Sequence, residues 1–464
     1  MKNYYYNPAN MSDYSDFSIS EFNVNYQSDK LKTYLRQMGS GDNGMSVKTN
    51  SYKKLKSNNV VWGNARYSNM TRKDLRYNEN LDFERIAPYV TLDSVGGDIN
   101  LENYHFAGGF AKKMKRYSFG LSGSYDAQMA YRSRDPRLRN TTSDLLLSAG
   151  INYKVYRNYQ VGIFGEFNKY TQNSALSFVN AVSYPIVYQS IGFGYTNYFF
   201  NNSFKTQFEE FGYKIGGQIS SKNGKDFYII GTLSSSNNVK SVYPKNSNRY
   251  YDTSDLESKI SQIEAAKFIN LNNNRIGLIL SYNSTIRTGE EYGYTSNSDN
   301  TEVIFKRKAY KKEHYTTSIK GLYQLSQEKY TVTAIPFLSY QEVTDRRIYP
   351  FSGQKYDSYT LGLDLDLKLE INKNQVLTFQ PNYAFRNVNK AINALDTNVS
   401  SGKLEWIYDD FRILTSDITT VGAMLRYDLK IQKLPSFFVS GQWTTTRIKE
   451  KNNNFVGFSL GITF

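Results

Sequence analysis

Between Leu361 and Ile371 apolar and charged residues alternate without a break. Leu361, Leu363, Leu365, Leu367 and Leu369 fall on one parity, and Asp364, Asp366, Lys368 and Glu370 on the other. A helix would spread those charges around its whole circumference, whereas a strand, with its period of two, sorts them onto one face. The same sorting sets Val421, Ala423, Leu425, Tyr427 and Leu429 against Arg426, Asp428 and Lys430. It sets Leu377, Phe379, Pro381, Tyr383 and Phe385 against Gln380, Asn382 and Arg386, and it returns upstream in 119–125 and 145–154. At the C-terminus Val456, Phe458, Leu460, Ile462 and Phe464 alternate with Gly457, Ser459, Gly461 and Thr463, so an apolar face runs to the last residue.

An oily face repeated in segment after segment needs a cover, and lipid is the simplest one. Strands cross lipid only as a closed barrel, because every backbone N–H and C=O must find a partner there. The pattern therefore predicts an all-β chain, a transmembrane antiparallel β-barrel of about 18 strands, within 16 to 20, running from 15–26 to 454–464. Phe464 in the aromatic girdle of the periplasmic rim serves as the outer-membrane assembly signal, read by the barrel assembly machinery, and gives every strand a direction. The connections then separate into short basic periplasmic turns, such as 113–116, 222–225 and 327–329, and longer extracellular loops. Three of the loops, 71–102, 171–204 and 392–415, exceed twenty residues and are candidates for binding or for constricting a pore. Tyr-rich alternation persists inside 178–200, where a further hairpin would raise the strand number to 20. Residues 1–14 are expected to form an N-terminal periplasmic segment and 15–464 a single barrel domain.

Composition sharpens this. Mean hydropathy is −0.59, and no stretch approaches the roughly 18 apolar residues of a membrane helix. The 41 Tyr and 28 Phe suit a surface that is half in lipid and half in water. Cysteine is absent, so the fold uses no disulfide. The net charge of +15 raises the question of nucleic acid, but the charges sit in turns and loops and form no basic helical stripe. Outer-membrane lipid and lipopolysaccharide are the expected surroundings, in the outer membrane of a Gram-negative bacterium. Met1–Asn10 carries no apolar run of a secretion signal, so the chain is expected to be a mature form or to start short of the native N-terminus.

Little in the sequence carries chemistry. Of the two histidines, His105 has the inward parity, opposite Tyr104, Phe106 and Phe110, and reads as a hydrogen-bonded lumen residue. His314, in Lys311-Lys312-Glu313-His314, reads as part of a solvent-exposed strand extension. Neither stands beside a nucleophile or acidic pair, so no enzyme is expected, and no cofactor or metal. Gly96-Gly97 and Gly108-Gly109 lack the Lys-Ser/Thr step of a phosphate loop and read as turn, bulge or kink residues. The inward charges Asp364, Asp366, Lys368, Glu370, Arg386, Arg426, Asp428 and Lys430 read as a lumen charge ladder. Arg132, Arg134, Arg137 and Arg139 form the densest charge cluster, suited either to a loop contact with an anion or partner or to anchoring on Asp135 and Asp144.

The run Pro88-Tyr89-Val90 to Asp93-Ser94-Val95-Gly96-Gly97-Asp98, then Glu102, Tyr104, Phe106 and Gly108-Gly109-Phe110, then Asp135-Pro136-Arg137, Asn140-Thr141 and Ser143-Asp144, resembles an uncharacterised family of Bacteroidota outer-membrane β-barrels. The motif match covers roughly 88–155, and the barrel pattern the rest. The resemblance implies a place beside TonB-dependent receptors and transfers no catalytic residue. Two roles stay open: an accessory subunit of a surface uptake or assembly complex, with a TonB-dependent receptor or a surface lipoprotein as partner, and a porin-like passive channel for small hydrophilic solutes. A TonB-dependent transporter itself would need a plug domain before the first strand.

Overall fold

The computed structural model describes residues 2–464 apart from 56–58, 181, 183, 246, 296–301, 397, 398, 400 and 433, so parts of the expected loops 171–204 and 392–415 lie outside the described residues. Eighteen strands, from Ile19–Lys30 to Lys451–Thr463, form one antiparallel sheet in which each pairs with its neighbours in sequence. The first strand also pairs with the last, Phe22 opposite Ile462 and Tyr26 opposite Phe458, so the sheet closes on itself and has no edge. The strand number and order are those expected from the alternation. Several strands run further toward the long-loop end than the alternation alone shows, as in Arg137–Tyr156 and Tyr159–Ser177.

The apolar parity faces outward. Leu361, Leu460, Phe458, Phe106 and Ile215 are each more than half exposed, the opposite of a water-soluble fold and the arrangement of a barrel standing in lipid. Among the described residues no helix is long and apolar enough to cross a membrane. Short turns join the strands at one end and long loops at the other, so the chain is a multi-pass outer-membrane β-barrel.

The core of this protein is inside the tube. At the short-turn end, two 3-10 helices, Lys2–Tyr6 and Pro8–Asp13, lie against the inner wall. The chain can come this close because Gly120 and Gly150 face it. A Cβ on Gly120 would stand 2.3 Å from the Pro8 backbone, and one on Gly150 would stand 2.1 Å from the Asn7 amide oxygen. Asn7 Nδ2 donates to Asn152 Oδ1 at 2.7 Å, Asn152 Nδ2 donates to Asn10 Oδ1 at 2.8 Å, and Gln218 Nε2 donates to both oxygens. Tyr4 packs between Phe164, Tyr228 and Phe268.

At the other end the three longest loops turn inward. The first carries a short helix α1, Phe83–Ile86, and the strand Thr91–Leu92. The second carries Tyr188–Gly192 and Tyr195–Thr196, and the third the helix α2, Ser401–Leu414. The alternation in 178–200 does make a hairpin, but its strands pair with each other and with Thr91–Leu92 inside the tube, not in the wall. The alternative of twenty wall strands is thereby set aside, because those residues are spent on the lumen. Leu75, Leu81, Ile99, Leu138, Leu176 and Val187 form the largest apolar cluster where the first two loops meet the wall.

Two smaller expectations also change. Gly108 and Gly109 sit in regular register with Gly63 and Trp62, without a bulge, while Gly96 occupies the left-handed turn (φ +62°) expected of it. His314 is no exposed extension. It lies inside Val303–Ser326, between Thr285 and Val343, and faces the lumen, because that strand continues its pairing well past the lysines.

Candidate functional site: the lumen chamber

Each of the three inward loops is held to the wall by one arginine that donates to backbone carbonyls. Arg287 donates through Nη1 to the Glu84 carbonyl at 2.7 Å and through Nη2 to that of Arg85, the end of α1. Arg347 donates through Nη1 to the Ile191 carbonyl at 2.6 Å. Arg386 donates through Nη2 to the Leu414 and Ser416 carbonyls, both at 2.8 Å, at the end of α2. Helix C-termini leave carbonyls unpaired and carry partial negative charge, so a guanidinium suits them by geometry and by sign. Arg347 is also locked to Glu291 by two bonds of 2.6 and 2.8 Å and is 1% exposed.

The first loop adds anchors of its own. Arg85 reaches Asp144 at 2.7 Å, Glu210 at 2.8 Å and the Asn168 amide oxygen at 2.7 Å, with its guanidinium over the Tyr170 ring. Glu79 accepts a forked pair from Arg132 at 3.0 Å in a site closed to water. Burial, with Asp93 alongside, drives the Glu79 carboxyl upward, and the Arg132 fork opposes that rise. The loops then join one another. Tyr77 stacks on Trp406 at 5.0 Å, Lys403 Nζ stands 4.4 Å above the Tyr188 ring, and Tyr195 donates to Asp396.

Between these loops and the wall lies a chamber of about 700 Å³. Tyr77, Phe83, Trp406 and Leu414 cover it from the loop side; Ile260, Thr285, His314, Val343 and Tyr356 line it from the wall. Lys312 and Asp345 face it as an ion pair at 3.3 Å. Asp410, on α2, borders it too, and burial pushes its carboxyl up to about 7. Among the described residues no three His, Cys, Asp or Glu side chains converge as metal ligands would.

The residues singled out in the sequence divide accordingly. Of the ladder, Arg426 pairs with Asp428 at 2.8 Å and with Glu21 at 3.1 Å, and Arg386 serves the end of α2. Asp364, Asp366, Lys368, Glu370 and Lys430 make no ion pair among the described residues. Of the loop arginines, Arg132 is buried on Glu79, Arg137 pairs with Asp135 at 3.1 Å, and Arg134 and Arg139 are exposed. Asp144 takes Arg85, not an arginine of this cluster, because the first loop folds inward past it. His105 Nδ1 and Asp126 Oδ1 are 2.9 Å apart in the lumen, and neither lines the chamber. Phe464 is exposed at the short-turn rim, its N–H donating to the Ser20 carbonyl. Sequence reasoning missed Arg287 and Arg347. Their inward parity, toward the long-loop ends of their strands, was the available signal.

Among solved structures the chain is similar to the ferric preacinetobactin receptor BauA of Acinetobacter baumannii, with 8% identity over 96% of this chain and 80% of that one and a TM-score of 0.46. It is similar also to the outer membrane transporter YddB from Escherichia coli, with 8% identity over 97% and 81% of the two chains and a TM-score of 0.44. No curated protein matches the sequence. A family model does, over residues 8–464, from within the lumen segment to the closing strand: the chain belongs to the family of unknown function DUF6850.

Proposed function

We propose that this barrel is an accessory subunit of a surface uptake or assembly complex, working beside a TonB-dependent receptor or a surface lipoprotein, and not a passive channel. The observation that carries the reading is the commitment of the three longest loops to the lumen, each with its own wall arginine. A diffusion pore keeps its lumen wet and leaves its loops to narrow it; here the loops pack on one another and cross the tube. At the long-loop end the wall arginines Arg287, Arg347 and Arg386 are spent on loop carbonyls and, for Arg347, on a carboxylate.

Two measurements test it together. Purified barrel in planar bilayers is expected to show no open-channel conductance. Isolation from native membranes in mild detergent is expected to bring down a receptor or lipoprotein in comparable amount. A steady single-channel conductance from the unmutated barrel, with nothing attached in the native preparation, would return the protein to the porin class.

A further inference from the structure

Around its girth the wall is closed, but one hairpin outgrows it at the long-loop end. Its strands are Asn274–Tyr294 and Val303–Ser326, the second of them, at 24 residues, the longest described strand, and they stay paired as far as Tyr294 opposite Val303. The next wall strand, Tyr330–Arg347, stops short. Its uppermost pair is Arg347 opposite Tyr310, and the last rung is the Ile348 N–H donating to the Ala309 carbonyl at 2.8 Å. Above that rung, among the described residues, 303–308 have a ladder partner on one side only. Alternate residues of an antiparallel strand turn their N–H and C=O to opposite sides, so the open side carries unpaired donors and acceptors, a template for one more strand. The hairpin is braced from its other side, where Phe199, Phe200 and Tyr251 pack on Tyr294 with ring centroids 5.2–6.1 Å away.

The edge stands clear of lipid. Tyr282, Thr317, Tyr340 and Tyr359 fall in one outward row across four strands, the aromatic girdle of this end. Phe305 lies twelve residues beyond Thr317 on the same strand, about 40 Å of chain and, at the usual barrel tilt, about 30 Å above the girdle. Val303-Ile304-Phe305-Lys306-Arg307-Lys308 is exposed throughout and holds three cations and no acid. The cations meet rings, Lys306 at 3.9 Å over Tyr292 and Arg307 at 4.6 Å over Tyr349, and make no ion pair among the described residues. A second copy is a poor occupant. Two barrels in one membrane stand the same way up, so their edges would meet at equal height and in the same sense, each cation beside its own copy, and like charges side by side on paired strands repel. We infer that the edge 303–308 takes up, by strand addition, an extended acidic segment of a surface-exposed protein, with backbone bonds giving the grip and opposite charge choosing the partner. This rests on the accessory role for the existence of a partner and adds where, and by what chemistry, that partner is held.

The test uses the full chain in detergent and three peptides of twelve residues: alternating Thr and Glu, alternating Thr and Lys, and the Thr-Glu peptide methylated on every backbone nitrogen. The Thr-Glu peptide is expected to bind saturably and to slow hydrogen exchange across 303–308, and methylation to weaken it at least tenfold. The double variant Lys306→Glu, Lys308→Glu, which touches no loop anchor, is expected to keep the folded, heat-modifiable mobility in gels and to prefer the Thr-Lys peptide. No saturable binding of the Thr-Glu peptide, equal binding of its methylated form, an unchanged preference in the folded double variant, or a dimer of the unmutated barrel that protects 303–308 without peptide would each overturn the assignment. A native partner that co-isolates equally well with the double variant would sink the edge and leave the accessory role standing. An edge that binds the acidic peptide in a barrel that co-isolates with nothing would do the reverse.

Discussion

The two ends of the lumen are filled by opposite chemistry. At the short-turn end the segment 2–13 is held mainly by neutral groups, a cluster of Asn and Gln amides and tyrosines in edge-on and tilted contact, over glycines that let it approach. At the long-loop end the three loops are held by arginines, two of them seated on helix ends and one in a buried ion pair. Amide networks fix a position through many shared bonds of moderate strength. An arginine on a carbonyl or carboxylate concentrates the attachment in one side chain, so that its loss frees a whole element. The loop end should therefore fail by single substitutions, and the segment end by degrees.

The largest effect is expected from Arg347→Leu. It leaves Glu291 unpaired in a buried site, which costs about 3–5 kcal/mol, and it releases Ile191. Hydrogen exchange should show lost protection over 188–196, with the rest of the wall unchanged. Protection kept there would mean that the loop is held by its packing alone. Next comes Arg386→Leu, which removes two charge-assisted bonds worth about 2–3 kcal/mol in all. It is expected to expose α2 to protease while the first loop stays resistant, and simultaneous release of both loops would erase the distinction between separate anchors. A smaller change, about 1–3 kcal/mol, is expected for Asn152→Ala, which leaves Asn7 Nδ2 without its acceptor and takes one of two side-chain donors from Asn10 Oδ1. Faster exchange across 3–12 with an unaltered long-loop end would support the contrast, and cleavage in the long loops would break it.

The smallest effect concerns pH. Burial raises the Asp410 carboxyl to about 7 from an ordinary value near 3.8. A carboxyl raised on folding stabilises the folded state when protonated, and that contribution is lost as pH rises through the folded value. Protection of α2, corrected for intrinsic exchange, should fall as pH rises from about 4 to about 7 and level off above that, and Asp410→Asn should flatten the dependence. The segment 2–12, its amides uncharged, should show no matching step.

The wall was legible because lipid and lumen impose a strict period of two, and a strand such as 361–371 declares both faces in eleven letters. The same rule hid the interior. In 178–200 the alternation is real, but period alone does not say whether a hairpin pairs in the wall or within the tube. His314 was misplaced because lysines beside it suggested water, while their ion pairs with Glu313 and Asp345 let the strand run on. Of the candidate site, the three long loops were visible as lengths, and Arg386 as an inward charge. What each arginine would hold depended on how loops from distant parts of the chain meet, and no local pattern records that. The ladder drawn around 364–370 looked for partners on neighbouring strands, whereas the arginines that matter most reach across to loop backbone.

The three anchored loops have a mechanical consequence. A hollow cylinder of eighteen strands keeps its circumference through its hydrogen bonds, but its cross-section resists flattening only weakly, because a sheet bends more easily than it stretches. The first loop leaves the wall at residue 75 and is tied down at 287; the second leaves at 177 and is tied at 347; the third ties its end to 386 and stacks on the first through Trp406 and Tyr77. The first two are spokes across a rim, and the third, tied to the strand it leaves, joins them through that stack. They turn a pliable tube into a braced one whose outline stays round under sideways load, such as the pressure of a neighbouring barrel in a crowded membrane.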